Sequence, residues 1–187
     1  KFLSHIREVD AIIHMIRCFD SDNIQNVNPD INPTRDLEII QTEMKLADLE
    51  SIQKRLDKKN KKNIDEKMQK VLRSAFERLD SGKDLSELVN EFDEKTINQT
   101  GLLSIKPKIY VCNVDEKSIN TGNNYTNNFI KKFSPENTVI ISADIENQIN
   151  DLPSEEKRNY MDMISLKDTG LSKLIQKGYK ILDLDTY

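Results

Sequence analysis

Two short polar runs each close an apolar stretch of the chain. Asn113-Val114-Asp115-Glu116 follows Ile109-Tyr110-Val111-Cys112, and Ser142-Ala143-Asp144, with Glu146 close behind, follows Thr138-Val139-Ile140-Ile141. The carboxyl ends of buried parallel strands are where α/β folds hold their ligands, so amide, hydroxyl and carboxylate groups placed there suit hydrogen-bonded recognition. Taken alone, Asn113 and Ser142 read equally well as turn or helix-cap residues. A third cluster is cationic: Lys54, Arg55, Lys58, Lys59, Lys61 and Lys62. It reads either as a solvated helix tip or as a phosphate-contacting surface, and without aromatic residues among the charges the contacts would be to phosphates rather than bases. His5 and His14 have no partners at metal-ligand spacing, and read as a surface and a core residue.

These groups need a framework of strands and helices. Ala11 to Ile16 is nearly continuous in apolar residues, as in a strand buried on both faces, and 107–112 and 138–141 repeat the pattern. A polar and partly helical stretch, 117–137, supplies a crossover, so the three strands are expected in one parallel sheet. Phe2, Leu3 and Ile6 mark the end of a preceding helix. Asn32-Pro33 is a strong helix start, and the segment to about Asn60 carries two apolar stripes, Leu37/Ile40/Met44/Ala47 and Ile39/Leu46/Leu49/Ile52/Leu56. A second helix is expected from Asn63 to near Gly82. A third, capped by Asp84 with Glu87 behind it, would bury Leu85, Leu88, Val89 and Phe92. Helix-like segments follow around 143–149, 154–164 and 171–179, and Met15, Met44 and Met68 fall on core stripes.

The composition fits a helix-rich mixed fold: 36% hydrophobic, 32% charged, five Gly, five Pro and no Trp in 187 residues. A net charge of -4 from 28 basic and 32 acidic residues argues against a wholly basic nucleic-acid binder, leaving local patches to be read separately. Cys18 and Cys112 lie in apolar runs, which suits a reduced, cytoplasmic setting, and no run approaches the length of a membrane span. The chain opens at Lys1 inside helical sequence, which suggests a piece preceding it.

In order and spacing, the two strand-end runs resemble the fourth and fifth motifs of P-loop GTPases, NKxD and SAx. The wider pattern is more specific. It comprises Lys1 to Ile12 with Arg17-Cys18-Phe19, Asn32-Pro33, Glu43 to Glu50, Lys106-Pro107, Asn113 to Glu116, and Gly178-Tyr179 leading to Leu184 and Thr186-Tyr187. Together these residues resemble the Obg-like ATPase (YchF-type) family over nearly the whole chain, most loosely at 57–105 and 117–137. The resemblance implies an α/β P-loop NTPase (GTPase-like) parallel sheet with a helical, coiled-coil-like insertion. The core would occupy 1–19 and 105–187, and the insertion 20–104. The phosphate-binding half would precede this stretch and a TGS domain would follow it.

The resemblance also implies ATP with Mg2+ as ligand, preference for ATP over GTP, ribosome or ribosomal RNA as partner, and a monomer. Asn113, Val114, Glu116, Ser142 and Ala143 would recognise the base. In NKxD the aspartate accepts from guanine N1-H and its 2-amino group, whereas adenine has an acceptor at N1. Here Glu116 holds that position and need not face the base edge. The Asn113 amide can still pair with N7 and the 6-amino group of adenine, as asparagine does in DNA. No G-x-x-x-x-G-K-[ST] run occurs, and Ser81-Gly82-Lys83-Asp84 lacks both the earlier Gly and the final hydroxyl, so catalytic residues and Mg2+ ligands are expected outside the chain and the stretch alone should be inactive. The rivals are an ordinary translational GTPase of the Obg-related group and a non-catalytic helical adaptor that binds RNA or the ribosome.

Overall fold

Parallel pairing joins three strands, β1 (Ile12–Arg17), β2 (Lys108–Asn113) and β3 (Thr138–Ile141), in the order β1-β2-β3. The computed structural model describes residues 5–21, 30–57 and 64–185. Ile13 lies opposite Ile109, and Val111 is flanked by Met15 and Val139, so the expected single parallel sheet is present. One expectation fails at β1. Its side chains alternate, with Ile12, His14 and Ile16 buried while Ile13 and Met15 are 54% and 62% exposed. A run of apolar residues cannot reveal which face has a covering layer; among the described residues only one face of β1 does. Met15 is therefore not a core residue, although Met44 and Met68 are.

The chain divides into two compact units, Lys1–Asp10 with Glu38–Lys106, and Ala11–Leu37 with Pro107–Tyr187. The first is helical. Helix α1 (Pro33–Leu56), which reaches into it from Glu38, starts where Asn32 Oδ1 accepts the Arg35 amide at 3.1 Å. The two expected stripes are only partly buried: Leu37, Met44 and Ile52 are covered, whereas Ile39, Ile40 and Leu46 are about half exposed. Helix α2 (Glu66–Asp80) is capped by Asp65, whose carboxylate accepts the Met68 amide at 2.7 Å, and the start expected at Asn63 lies outside the described residues.

The third helix differs more. Instead of running from Asp84 it shrinks to one turn, α3 (Leu88–Glu91), and is followed by α4 (Glu94–Thr100), capped by Asp93 and closed by Gly101 at φ 63°. Asp84 pairs with Lys45 at 2.8 Å instead of capping, and Val89 is 59% exposed. The core of this unit gathers Ile52, Met68, Leu72, Ala75, Leu79, Leu85, Leu88, Ile97 and Leu102. A fully buried carboxylate, Asp48, ties α1 to the returning chain. It accepts the amides of Leu103 at 2.9 Å and Ser104 at 2.8 Å and the Ser104 hydroxyl at 2.6 Å, with Arg7 at 3.4 Å.

In the second unit, one sheet face packs Ile16, Cys18, Tyr110, Cys112 and Val114 against Leu37 and Phe129 of α5 (Asn124–Lys132). The other packs Ile109, Val111, Val139 and Ile141 against Leu174 and Ile181 of α8 (Gly170–Ile181). Between β3 and α8 lie α6 (Ala143–Asp151) and α7 (Ser154–Met163), held together by Ile145, Ile149, Met161 and Leu166. Among the described residues no helix is long and apolar enough to cross a membrane.

Candidate functional site

The parallel register brings the ends of β2 and β3 level, with Asn113 opposite Ile141. Immediately beyond, the Val114 amide donates to the Ile141 carbonyl at 2.8 Å, and the Cys18 amide donates to the Asn113 carbonyl at 2.8 Å. The strand ends are therefore locked, and the two polar runs leave the sheet as adjacent loops.

Asn113 bridges these loops. Its Oδ1 accepts the amide of Ala143, the first residue of α6, at 2.9 Å. The first amides of a helix have no partner within it, so this bond satisfies one of them and fixes the side-chain plane. With Oδ1 engaged, Nδ2 is the donor end, and it has no partner among the described residues. Ser142 precedes α6 as its N-cap, yet its side chain does not cap. The residue is fully buried and Oγ has no hydrogen-bond partner among the described residues.

Glu116 opens a short 3₁₀ turn (Glu116–Ser118) capped by Asp115, which accepts the Ser118 amide at 2.9 Å. Its carboxylate accepts from Gln148 Nε2 at 2.6 Å, and the Gln148 carbonyl in turn accepts from the Tyr160 hydroxyl. Glu116 is thus tied laterally to α6 and α7. Val114 is 2% exposed and packs in the core with Cys112 and Phe129, so what it offers at the loop surface is backbone. The five residues read as base contacts, Asn113, Val114, Glu116, Ser142 and Ala143, are accordingly brought together on two neighbouring loops.

Glu146 anchors the next layer. Its carboxylate accepts the amides of Gly170 at 2.6 Å and Leu171 at 3.3 Å, where the positive end of α8 favours a negative charge. Gly170 is required by space: an added Cβ would lie 2.4 Å from Ile141 Cγ2. The roles of Gln148, Tyr160 and Gly170 carried no sequence signal, because each depends on a partner far along the chain.

Behind the loops, Cys18 and Cys112 are fully buried free thiols. Interaction with the neighbouring Cys112 thiol, with burial second, holds the Cys18 thiol far above its ordinary value, so it stays protonated. His14, stacked on Tyr110 at 5.8 Å, is held down to about 4 by burial and then by the charge of Lys108, so it is neutral at pH 7. Among the described residues no group of three or more His, Cys, Asp or Glu side chains could hold a metal ion.

The basic cluster belongs to the helical unit. Lys54 pairs with Glu50 at 2.6 Å, and Arg55 donates to the Thr100 carbonyl at 2.7 Å. Lys58, Lys59, Lys61 and Lys62 lie outside the described residues.

Comparison with known proteins gives consistent neighbours, although no family model matches the chain. It is 35% identical over 197 residues to a ribosome-binding ATPase YchF of Bacillus subtilis and 34% identical over 195 residues to one of Escherichia coli O157:H7. Both alignments take in 100% of this chain, and 54% and 53% of the respective relatives. The chain therefore spans about half the length of the relatives it matches. A solved structure described as the Schizosaccharomyces pombe YchF GTPase superposes with a TM-score of 0.77 at 29% identity, over 97% of this chain and 52% of that one. The relatives' names disagree on the nucleotide, so base preference has to be argued from side chains.

Proposed function

We propose, on the premise that this is a YchF-type chain in sequence and fold, that it forms the base-recognition half and helical arm of a ribosome-associated P-loop hydrolase that prefers ATP over GTP. The observation that carries the reading is the Asn113 bridge. With Oδ1 held by the Ala143 amide, Nδ2 is aimed to donate to purine N7, and the second lone pair of Oδ1 suits the 6-amino group of adenine. That same oxygen would face the 6-carbonyl of guanine, acceptor against acceptor. Glu116, engaged by Gln148, is not presented as the carboxylate that guanine N1-H and its amino group require.

Buried Val114 supports this reading in a different way. Rebuilding a guanine motif by Val114→Lys would put an ammonium into the cluster around Phe129, so the lysine of NKxD has no counterpart to restore here. The work of this chain is to bind and orient the base. Mg2+, when bound, would neutralise charge on the nucleotide's phosphates during phosphoryl transfer, and the groups that hold the metal and the phosphates are assigned to the full-length protein outside this stretch. The isolated 187-residue chain is accordingly expected to show no turnover.

Ribosome association is carried over from the relatives' names and is consistent with the basic cluster of Lys54, Arg55, Lys58, Lys59, Lys61 and Lys62. The deciding experiment is paired titration of ATP and GTP against the full-length protein. Tighter ATP binding is expected. Tighter GTP binding would give the site to the GTPase reading, and binding of neither would leave the helical adaptor.

A further inference from the structure

A groove runs along β3, the outer strand of the described sheet, separate from the loops that recognise the base. It encloses about 500 Å³ and is lined by Thr138, Val139 and Ile140 of β3, by Ile119 and Asn120, and by Lys173, Gln176, Lys177 and Lys180 of α8. Its wall holds three ammonium groups and no carboxylate. In a chain with 32 acidic residues and a net charge of -4, an acid-free lining is a local departure from the average surface.

The three lysines form one stripe. Spacings of four and three residues place Lys173, Lys177 and Lys180 on one side of α8, over about 10 Å at 1.5 Å per residue. This stripe flanks the partly buried Leu174 and Ile181, so the aliphatic stems can pack at the sheet edge while the charged ends reach the groove. Lys173 and Lys177 are partly buried, and Lys177 donates to the Glu136 carbonyl, a neutral partner that leaves its charge uncompensated. Among the described residues none of the three lysines forms an ion pair. Three cations held in a row by a helix, with no ion-pair partner among the described residues, present a surface complementary to an extended anion. A single small anion could satisfy only part of a stripe of that length.

We propose that this groove binds the phosphodiester backbone of ribosomal RNA, each lysine neutralising one phosphate. The inference rests on the ribosome-associated reading above and adds a second contact surface, on the nucleotide-binding unit instead of the helical arm. The contacts are electrostatic and insensitive to base sequence, because the lining places no aromatic ring for stacking.

The test uses the full-length protein and purified ribosomal RNA, with affinity measured as a function of salt. Replacing Lys173, Lys177 and Lys180 together by Gln should make the slope of log K against log salt shallower by about 2 to 3 units, since each phosphate neutralised contributes roughly 0.7 to 0.9. Extrapolated over the decade from about 1 M to 0.1 M salt, that slope corresponds to a loss of about 100-fold or more. The triple Arg variant, which keeps the charges, should retain both slope and affinity, and ATP affinity should be unchanged in both variants.

An unchanged salt slope in the Gln variant, while the wild type binds RNA and a Lys58/Lys59/Lys61/Lys62 variant loses it, would overturn the groove assignment and leave the ribosome-associated reading intact. Failure of the wild type to bind ribosomal RNA at all would overturn both. Equal displacement of the RNA by a polyglutamate peptide would overturn the choice of a phosphodiester backbone.

Discussion

Asn113→Asp separates the two roles of the bridging amide. The substituted side chain keeps an oxygen in the Oδ1 position, so the 2.9 Å bond from the Ala143 amide survives, strengthened by the negative charge at the start of α6. What is lost is the Nδ2 donor. A carboxylate oxygen would then face the N7 lone pair of the base, leaving that acceptor unpaired and repelled, at about 1 to 3 kcal/mol, or roughly ten- to a hundred-fold in ATP affinity. Asn113→Ala removes both bonds and should in addition lower the unfolding free energy by about 1 kcal/mol, whereas Asn113→Asp should leave it nearly unchanged. The assay is a cycle of wild type and Asn113→Asp against ATP and 7-deaza-ATP, in which carbon replaces N7. The wild type should lose about tenfold on going to the deaza analogue, and the variant should lose nothing. The same deaza penalty in both proteins would mean that Asn113 does not touch N7, and the orientation argued from the Ala143 bond would be refuted.

Three further outcomes follow from buried groups. His14 has its pKa lowered to about 4, so between that value and the ordinary 6.5 the unfolded chain binds the extra proton. Its contribution is therefore complete above about pH 6.5 and is lost as pH falls toward 4, a change of about 1 to 2 kcal/mol after allowing for solvent screening; urea unfolding at pH 5 and 7 should show it, and His14→Phe should abolish it. Asp48→Ala strands the amides of Leu103 and Ser104 and should cost about 3 to 5 kcal/mol in thermal or urea unfolding, with a loss under about 1 kcal/mol excluding the clamp. Gly170→Ala drives a methyl group to 2.4 Å from Ile141 Cγ2 and should destabilise by about 1 to 3 kcal/mol, read as a lower unfolding midpoint with an unchanged denaturant slope.

The three strands, the start of α1 at Asn32-Pro33 and the two polar runs at strand ends were legible in the chain, because local chemistry specifies them. A run of apolar residues marks a strand without reference to distant partners, and Asn32 caps α1 through a bond to the amide of Arg35, only three residues on. Where burial depended on a neighbour, sequence could not decide. Ile13, Met15 and Val89 are apolar like the core residues beside them, but no described layer covers them. Asp84 had the pattern of a cap, yet its carboxylate pairs with Lys45, 39 positions earlier in the chain, and the helix that follows is a single turn.

The site divides in the same way. Order and spacing along the chain single out Asn113, Val114, Glu116, Ser142 and Ala143 as base-contact candidates, and these residues do stand at or beside the strand ends. Their orientation was settled only by contacts across it: Asn113 by the Ala143 amide, Glu116 by Gln148 and Tyr160, Val114 by the core around Phe129. The lysine groove was invisible for the same reason, since Lys173, Lys177 and Lys180 become a lined channel only when α8 packs beside β3. Residue type and spacing determine what a segment can offer. Which hydrogen bonds, charges and faces remain available to a ligand is decided by residues distant in sequence, and only tertiary packing brings those together.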